Sequence, residues 1–329
     1  MTSLHGHDAA VAAFLDAHAS GRLHHAWLLT GPEGIGKARF ADGAALRVLA
    51  EGAGPPIDAA GLDVPENHRI AKLVAAGSHP DLMRLERLTK ESGTELARSI
   101  TVDQVRGLQR LFTTTATFSP WRVVVIDAID DLERPAANAL LKSLEEPPPN
   151  SLFLLVSHAP ERLLPTIRSR CRQLRLSALG PDAMAAALSG ALDDPEPGEI
   201  DELVRIGEGS PGRALAFRGL KIEALDRAMQ ALAEEGDPTN ARRARLAAEL
   251  APKSAQSRYE AFLARAPSFV ASIARDRRGP ALAHAIQLWE RARDLAGGAT
   301  RLSLDPHSVV FELGGMLASL NSAGQKQHR

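Results

Sequence analysis

Residues His25–Ala38 read HAWLLTGPEGIGKA. The first half, His25–Thr30, is a short apolar run. The second half, Gly31-Pro32-Glu33-Gly34-Ile35-Gly36-Lys37-Ala38, is a glycine-rich turn that opens a helical pattern running from Lys37 to about Glu51. Strand, glycine turn and helix in that order form the context that a G-x-x-x-x-G-K-[ST] phosphate loop requires. The glycines let the backbone wrap with its N–H groups facing phosphate oxygens. Lys37 would meet the β- and γ-phosphates, and the helix N-terminus adds a favourable dipole. The alternative is a chance glycine-rich turn, which has to produce the strand, the spacing and the lysine together. The last position departs from the pattern: Ala38 stands where a Ser or Thr hydroxyl would bind Mg2+, and a methyl group cannot do that. ATP can still be held by the backbone and Lys37, with Mg2+ entering only together with the nucleotide.

Working outward, strand and helix signals alternate. Asp81–Leu85 is a second candidate strand, and Thr101–Phe112 reads as one helix with Val102, Val105, Leu108 and Leu111 on a single stripe. Thr101 and Gln104 have capping-box spacing at its start. Arg122–Asp127 (RVVVID) is a β-branched run of the kind buried on both faces. Asp127, at its end, is placed to hold Mg2+ or its water shell; by itself it could equally be a strand-end turn residue. Pro135 opens a helix through Glu146, stopped by Pro147-Pro148-Pro149. Ser151–Ser157 (SLFLLVS) is another buried strand and Arg172–Leu176 a weaker last one. Five strands separated by helices predict an α/β fold with a parallel five-stranded sheet. After Ser177 the pattern is helical, and breaks at 193–198 and 218–219 divide the chain into 1–177, a small helical module at 178–218, and an all-α region at 219–329.

Composition sets outer limits. A chain of 329 residues is long for one core, at roughly 100–200 residues per domain. A net charge of −1 argues against a chain that is basic throughout and wraps nucleic acid, although a local stripe or a partner could still supply positive field. A single cysteine, Cys171, excludes a disulfide framework and reads as a small buried apolar residue. No run reaches the ~18 apolar residues of a membrane span, and MTSLHGHDAA lacks a signal-peptide pattern, so the expectation is a cytoplasmic protein without membrane contact. Glu51–Asn67 is expected as a linker and the GQKQHR end as a frayed tail. In the C-terminal third, Leu246, Leu250, Val309, Val310, Leu313, Met316, Leu317 and Leu320 are expected in a helical core. The arginines at 242, 243, 245, 275, 277 and 278 read as solvated helix faces, with DNA or acidic partners as the other reading.

Four segments then point to a family. They are Leu23-His24-His25-Ala26 ahead of the phosphate loop, NALLKSLEEPP at 138–148, LPTIRSRC at 164–171 and GSPGRAL at 209–215. Together they resemble the clamp-loader branch of the AAA+ ATPases, the group that serves bacterial DNA polymerase III. The resemblance covers about the first two-thirds of the chain; the remainder matches only in length and helical character. It implies a P-loop AAA+ domain, a helical lid and an all-α collar. It implies a hetero-oligomeric ring with ATPase subunits (gamma/tau) and a clamp-opening delta subunit, acting on a sliding clamp and primer–template DNA. The polymerising nucleotidyltransferase activity of such a holoenzyme belongs to other chains.

The resemblance also assigns residues. In hydrolysing members of the superfamily the position of Ala128 is usually a Glu that orients water, and losing such a base typically costs ~10²–10⁴ in rate. A subunit without independent ATPase activity is therefore expected. Arg170 matches the arginine that reaches across a subunit interface to a neighbour's γ-phosphate; without the motif, Arg168, Arg170 and Arg172 would read as solvated charges. Arg213 resembles the nucleotide-sensing arginine of the lid but sits one place later than in active subunits, so packing is as good an explanation. Ser157 or His158 occupies the sensor position at a strand end, where a satisfied polar turn would serve equally. Relatives often carry a four-cysteine zinc module here; residues 50–80 contain no cysteine, and His68 and His79 alone cannot complete a tetrahedral site, so no zinc is expected.

Overall fold

The computed structural model describes residues 4–90, 93, 96–299 and 302–325. The apolar runs become strands β1 (Ala26–Thr30), β2 (Leu82–Glu86), β3 (Arg122–Asp127), β4 (Ser151–Val156) and β5 (Arg172–Arg175). They form one parallel sheet in the order β2-β3-β4-β1-β5. Helix α1 (Asp8–Ala19) precedes β1, and the crossovers carry α2 (Lys37–Ala53), α3 (Arg69–Ala75), α4 (Val102–Arg106), α5 (Leu108–Thr113), α6 (Arg134–Glu145) and α7 (Pro165–Arg168). This is the α/β architecture with a parallel five-stranded sheet that the alternation of strand and helix signals predicts.

The three central strands are apolar between their end residues because both sheet faces are covered. Trp27 and Leu29 point to one face with Val123, Val125, Leu152 and Leu154, against Phe14 of α1 and Phe40, Val48 and Leu49 of α2. Ala26 and Leu28 point to the other face with Val124, Ile126, Phe153 and Leu155, against Leu108, Leu111, Leu140 and Leu144. Complete burial of such side chains contributes about 1.5–3 kcal/mol each. The ring of Phe14 meets those of Trp27 and Phe40 edge-on, with centroids 5.2 and 5.9 Å apart.

Two local details differ from the reading of the sequence. The helix expected over Thr101–Phe112 is broken into α4 and α5 at Gly107, whose N–H is shared between the carbonyls of Asp103 and Gln104 before the next turn tightens to Arg110 N→Gly107 O. The stripe survives the break, with Val105, Leu108 and Leu111 buried. The stretch Glu51–Asn67 is the last turn of α2 followed by a loop that the buried Arg47 pins. Its Nη1 donates to the carbonyls of Ala59 (2.9 Å) and Asp63 (3.0 Å), its Nη2 to that of Ile57 (3.2 Å), and its Nε to Glu51 (2.6 Å).

Two compact units divide the chain, residues 1–214 and 215–329. The first also holds α8 (Pro181–Ser189), α9 (Glu199–Gly207) and the start of α10 (Pro211–Phe217). The second is built of α11 (Ile222–Glu235), α12 (Ala241–Leu250), α13 (Gln256–Arg275), α14 (Gly279–Ala299) and α15 (Pro306–Gln325). The expected apolar stripes, Leu246, Leu250, Val309, Val310, Leu313, Met316, Leu317 and Leu320, are all in its core. Two of its arginines are drawn inward rather than presented: Arg243 stacks over Phe311 at 4.4 Å, and Arg277 Nη2 donates to the Leu320 carbonyl. Residues 326–329 of the expected tail lie outside the described residues. No described helix is long and apolar enough to cross a membrane.

Candidate functional site

The site grows from the C-terminal end of β1. The loop Gly31–Gly36 leaves the strand and turns into α2, whose first residue is Lys37. Glycine is required at the tip: Gly34 has φ +75°, and a Cβ there would lie 2.5 Å from Ser210 Oγ. Ile35 is fully buried, and Pro32 and Glu33 form the exposed shoulder. Lys37 is 3% exposed and donates to the carbonyls of Gly31 (2.7 Å) and Pro32 (2.6 Å). Burial pulls its ammonium down to about 8, against the opposing fields of Glu33, Asp130 and Asp127.

The small helical module seats on this loop. The Gly212 N–H donates to the Gly34 carbonyl at 2.9 Å, and Ser210 Oγ donates to the Glu33 carbonyl at 2.8 Å. The approach is so close that a Cβ on Gly212 would lie 2.8 Å from Gly34 Cα. Arg213 does not extend toward the loop with its guanidinium. Its N–H donates to Ser210 Oγ, and its Nη1 pairs with Glu208 at 3.0 Å.

Asp127 ends β3 beside the loop, and its Oδ2 accepts from Arg84 Nη2 at 2.7 Å. The neighbouring Ala128 is buried and offers only a methyl group. Asp130 organises the turn after β4: its carboxylate accepts from Ser157 Oγ (2.9 Å), His158 N (2.6 Å) and Ala159 N (3.2 Å). Both sensor candidates therefore meet the same carboxylate.

A nucleotide–Mg2+ pair is tested by these donors. Ala38 has no oxygen for a metal, and Asp127, the one carboxylate in the expected place, is already paired with a guanidinium. Lys37 already donates to two carbonyls of its own loop. These residues do not fit a Mg2+ ion, and the loop carbonyls of Glu33 and Gly34 are engaged by the module packed on them.

Arg170 stands apart from this cluster, between α7 and β5. Its Nη1 donates to the Thr166 carbonyl at 2.8 Å, and its Nη2 pairs with Glu145, the last residue of α6, at 2.8 Å. About a third of the side chain is exposed. Cys171, the next residue, is half-buried, and desolvation pushes its thiol up to about 12. His24 and His25 stack at 4.3 Å, and His25 Nε2 lies 3.1 Å from the Leu144 carbonyl, tying the motif ahead of the loop to the end of α6.

Beside the sequence candidates Lys37, Asp127 and Arg170 the fold brings Arg84, Ser210, Gly212 and Glu145, which the sequence does not mark as their neighbours. Ser210 and Gly212 lie in the GSPGRAL motif and Glu145 in NALLKSLEEPP, whereas Arg84 lies in a weak strand with nothing to mark it.

A family profile described as "DNA polymerase III, delta subunit" matches residues 6–180. The chain is 40% identical over 196 residues to DNA polymerase III subunit delta' of Pseudomonas aeruginosa, covering 59% of this chain and 56% of that one. It is 33% identical over 224 residues to subunit delta' of Escherichia coli, covering 66% of this chain and 61% of the relative. Subunit tau of Escherichia coli is 31% identical over 230 residues, 67% of this chain and 33% of tau. The chain thus spans a little over half of the delta' relatives and a third of tau. From the matched profile and the delta' relatives together, the chain belongs to the DNA polymerase III delta-subunit family, in its delta' branch.

Proposed function

We propose that this chain is the delta' subunit of a clamp loader, one that does not turn over ATP itself and offers Arg170 to nucleotide held by a neighbouring ATPase subunit. The observation that carries the reading is that both charged groups of its own nucleotide site are committed internally, Lys37 to Gly31 and Pro32 and Asp127 to Arg84. Ala38 and Ala128 support it, since neither can hold a metal or orient water. Arg170, by contrast, lies a third exposed at the protein surface between the Thr166 carbonyl and the exposed Glu145 carboxylate, and a phosphate can displace that ion pair at little cost. A guanidinium delivered in trans can neutralise charge on a transferring phosphoryl group, with effects of ~10³–10⁵ in known cases. The partners in this reading are gamma/tau-type ATPase subunits and a delta subunit in a ring that loads a sliding clamp onto primer–template DNA. The relatives named tau and delta' support that choice of partners.

The test has two parts. The isolated chain with Mg2+ and ATP is expected to show no turnover; robust hydrolysis abolished by Lys37→Ala would identify an active AAA+ ATPase instead. In a complex reconstituted with ATPase subunits, Arg170→Ala is expected to lower turnover at the site it serves by about 10³-fold while leaving assembly intact. Unchanged ATPase and clamp loading would remove Arg170 from the mechanism.

A further inference from the structure

Glu145 is the last residue of α6, and Glu146 follows it at the C-cap. The C-terminal end of a helix carries the negative pole of its dipole, so a carboxylate there is electrostatically disfavoured. Glu145 therefore does not serve the helix that carries it. What it meets is the guanidinium of Arg170, whose Nη2 lies 2.8 Å from Glu145 Oε1. Nη1 of the same guanidinium donates to the Thr166 carbonyl at 2.8 Å, with Ser169 Oγ at 3.4 Å.

Both partners stand on fixed backbone. Leu144 is fully buried, and its carbonyl lies 3.1 Å from His25 Nε2, which ties the end of α6 to the residue before β1. Across from it, Ile167 is buried in the same core, and the Arg170 N–H donates to its carbonyl at 3.1 Å. The side chains themselves stay accessible, Arg170 at 34% and Glu145 at 47% exposure. The pair is set in position yet open to exchange. A phosphate, with three acceptor oxygens matched to the guanidinium fork, is the stronger partner of the two.

We infer that Glu145 is a positioning residue for Arg170, a resident counter-ion that holds the guanidinium ready and yields it to a neighbour's phosphate. The inference rests on the role proposed above for Arg170 and adds a second residue to it. Because the pair has to open before Arg170 meets nucleotide, Glu145 sets the ATP concentration at which the guanidinium engages. Once engaged, Arg170 no longer touches Glu145, so turnover at saturating ATP is independent of it. A carboxylate that merely stapled α6 to the turn after α7 would have neither property.

The experiment measures turnover against ATP concentration in the complex reconstituted with ATPase subunits, for the wild type, Glu145→Gln, Glu146→Gln and Arg170→Ala. Glu145→Gln should lower the half-saturating ATP concentration roughly 1.5–5-fold at low salt, the range of an exposed ion pair, with maximal turnover unchanged. The shift should shrink at high salt. Glu146→Gln removes the same charge one residue away and should leave the half-saturating concentration where it was. The thermal midpoint of the Glu145→Gln chain should not fall, because relief at the helix end offsets the lost pair. The inference is overturned, with the Arg170 reading left standing, if Arg170→Ala lowers turnover while Glu145→Gln leaves half-saturation unchanged or raises it. A lowered midpoint without that kinetic shift identifies a structural staple, and an equal shift in Glu146→Gln identifies a general field; each overturns it too. If Arg170→Ala changes nothing, the Arg170 reading itself falls and takes Glu145 with it.

Discussion

Replacing Gly212 with Ala sets two physical effects against each other, and the structure says which wins. Gly212 is in the first turn of α10, where Ala is the better helix former by about 1 kcal/mol. On propensity alone Gly212→Ala stabilises. The added Cβ, however, would lie 2.8 Å from Gly34 Cα and 3.0 Å from Gly34 O, both main-chain atoms of a loop pinned by Lys37. Neither can swing away as a flexible side chain would, so α10 has to retreat. Retreat lengthens Gly212 N→Gly34 O and Ser210 Oγ→Glu33 O, worth about 1 kcal/mol each. Residual overpacking adds about 1–3 kcal/mol. Net of the helix gain, the substitution should destabilise by about 2–4 kcal/mol. For a unit of this size that lowers the first thermal transition by roughly 5–15 °C, with the transition of the 215–329 unit unmoved. Differential scanning calorimetry of the full chain reads both transitions. A first transition that stays in place or rises would refute the docking of the module on the phosphate loop.

Three further outcomes follow from particular residues. Because the folded state depresses Lys37 from 10.5 to about 8, the unfolded chain binds more protons between those values, so stability should rise with pH across that window. Lys37→Met should abolish this component, and the difference between the two melting profiles from pH 8 upward checks the sign. Arg47→Met keeps the aliphatic stem but leaves the carbonyls of Ile57, Ala59 and Asp63 without their donor. A loss of about 2–4 kcal/mol in urea unfolding is expected, with new proteolytic cleavage inside 54–67. Cys171, with its thiol raised to about 12, should react with a disulfide reagent at pH 8 at least ~10³-fold more slowly in the folded protein than in denaturant.

The sequence reported the sheet well because its inner strands are apolar without interruption, a pattern few other local structures produce. RVVVID and SLFLLVS could scarcely be anything else once a phosphate loop stood ahead of them. Gly107 was visible but lay inside an intact apolar stripe, and the stripe carried through while the hydrogen bonding did not. What stayed hidden was every pairing between distant residues. Arg84 and Asp127 are 43 positions apart, and Ser210 meets Glu33 across 177. Nothing at either position declares its partner; only the fold brings them together. The same limit applies to charge on helices. Arg243 and Arg277 look like solvated arginines in sequence, yet one stacks on a ring and the other reaches a carbonyl of α15.

The order of the sheet has a consequence for how the protein behaves in concentrated solution. β2 and β5 each pair on one side only, so each carries a row of main-chain groups that another chain's strand could extend. Both are short and heavily charged: Arg84 and Glu86 stand on one, Arg172 and Arg175 on the other. A strand added to either border would meet these charged side chains, Arg84 held among carboxylates and Arg172 over the Trp27 ring, as it formed its first ladder bonds. Runaway strand-to-strand growth is therefore discouraged at both borders. Replacing Arg84 or Arg172 with an apolar β-former would remove that protection along with whatever else those side chains do.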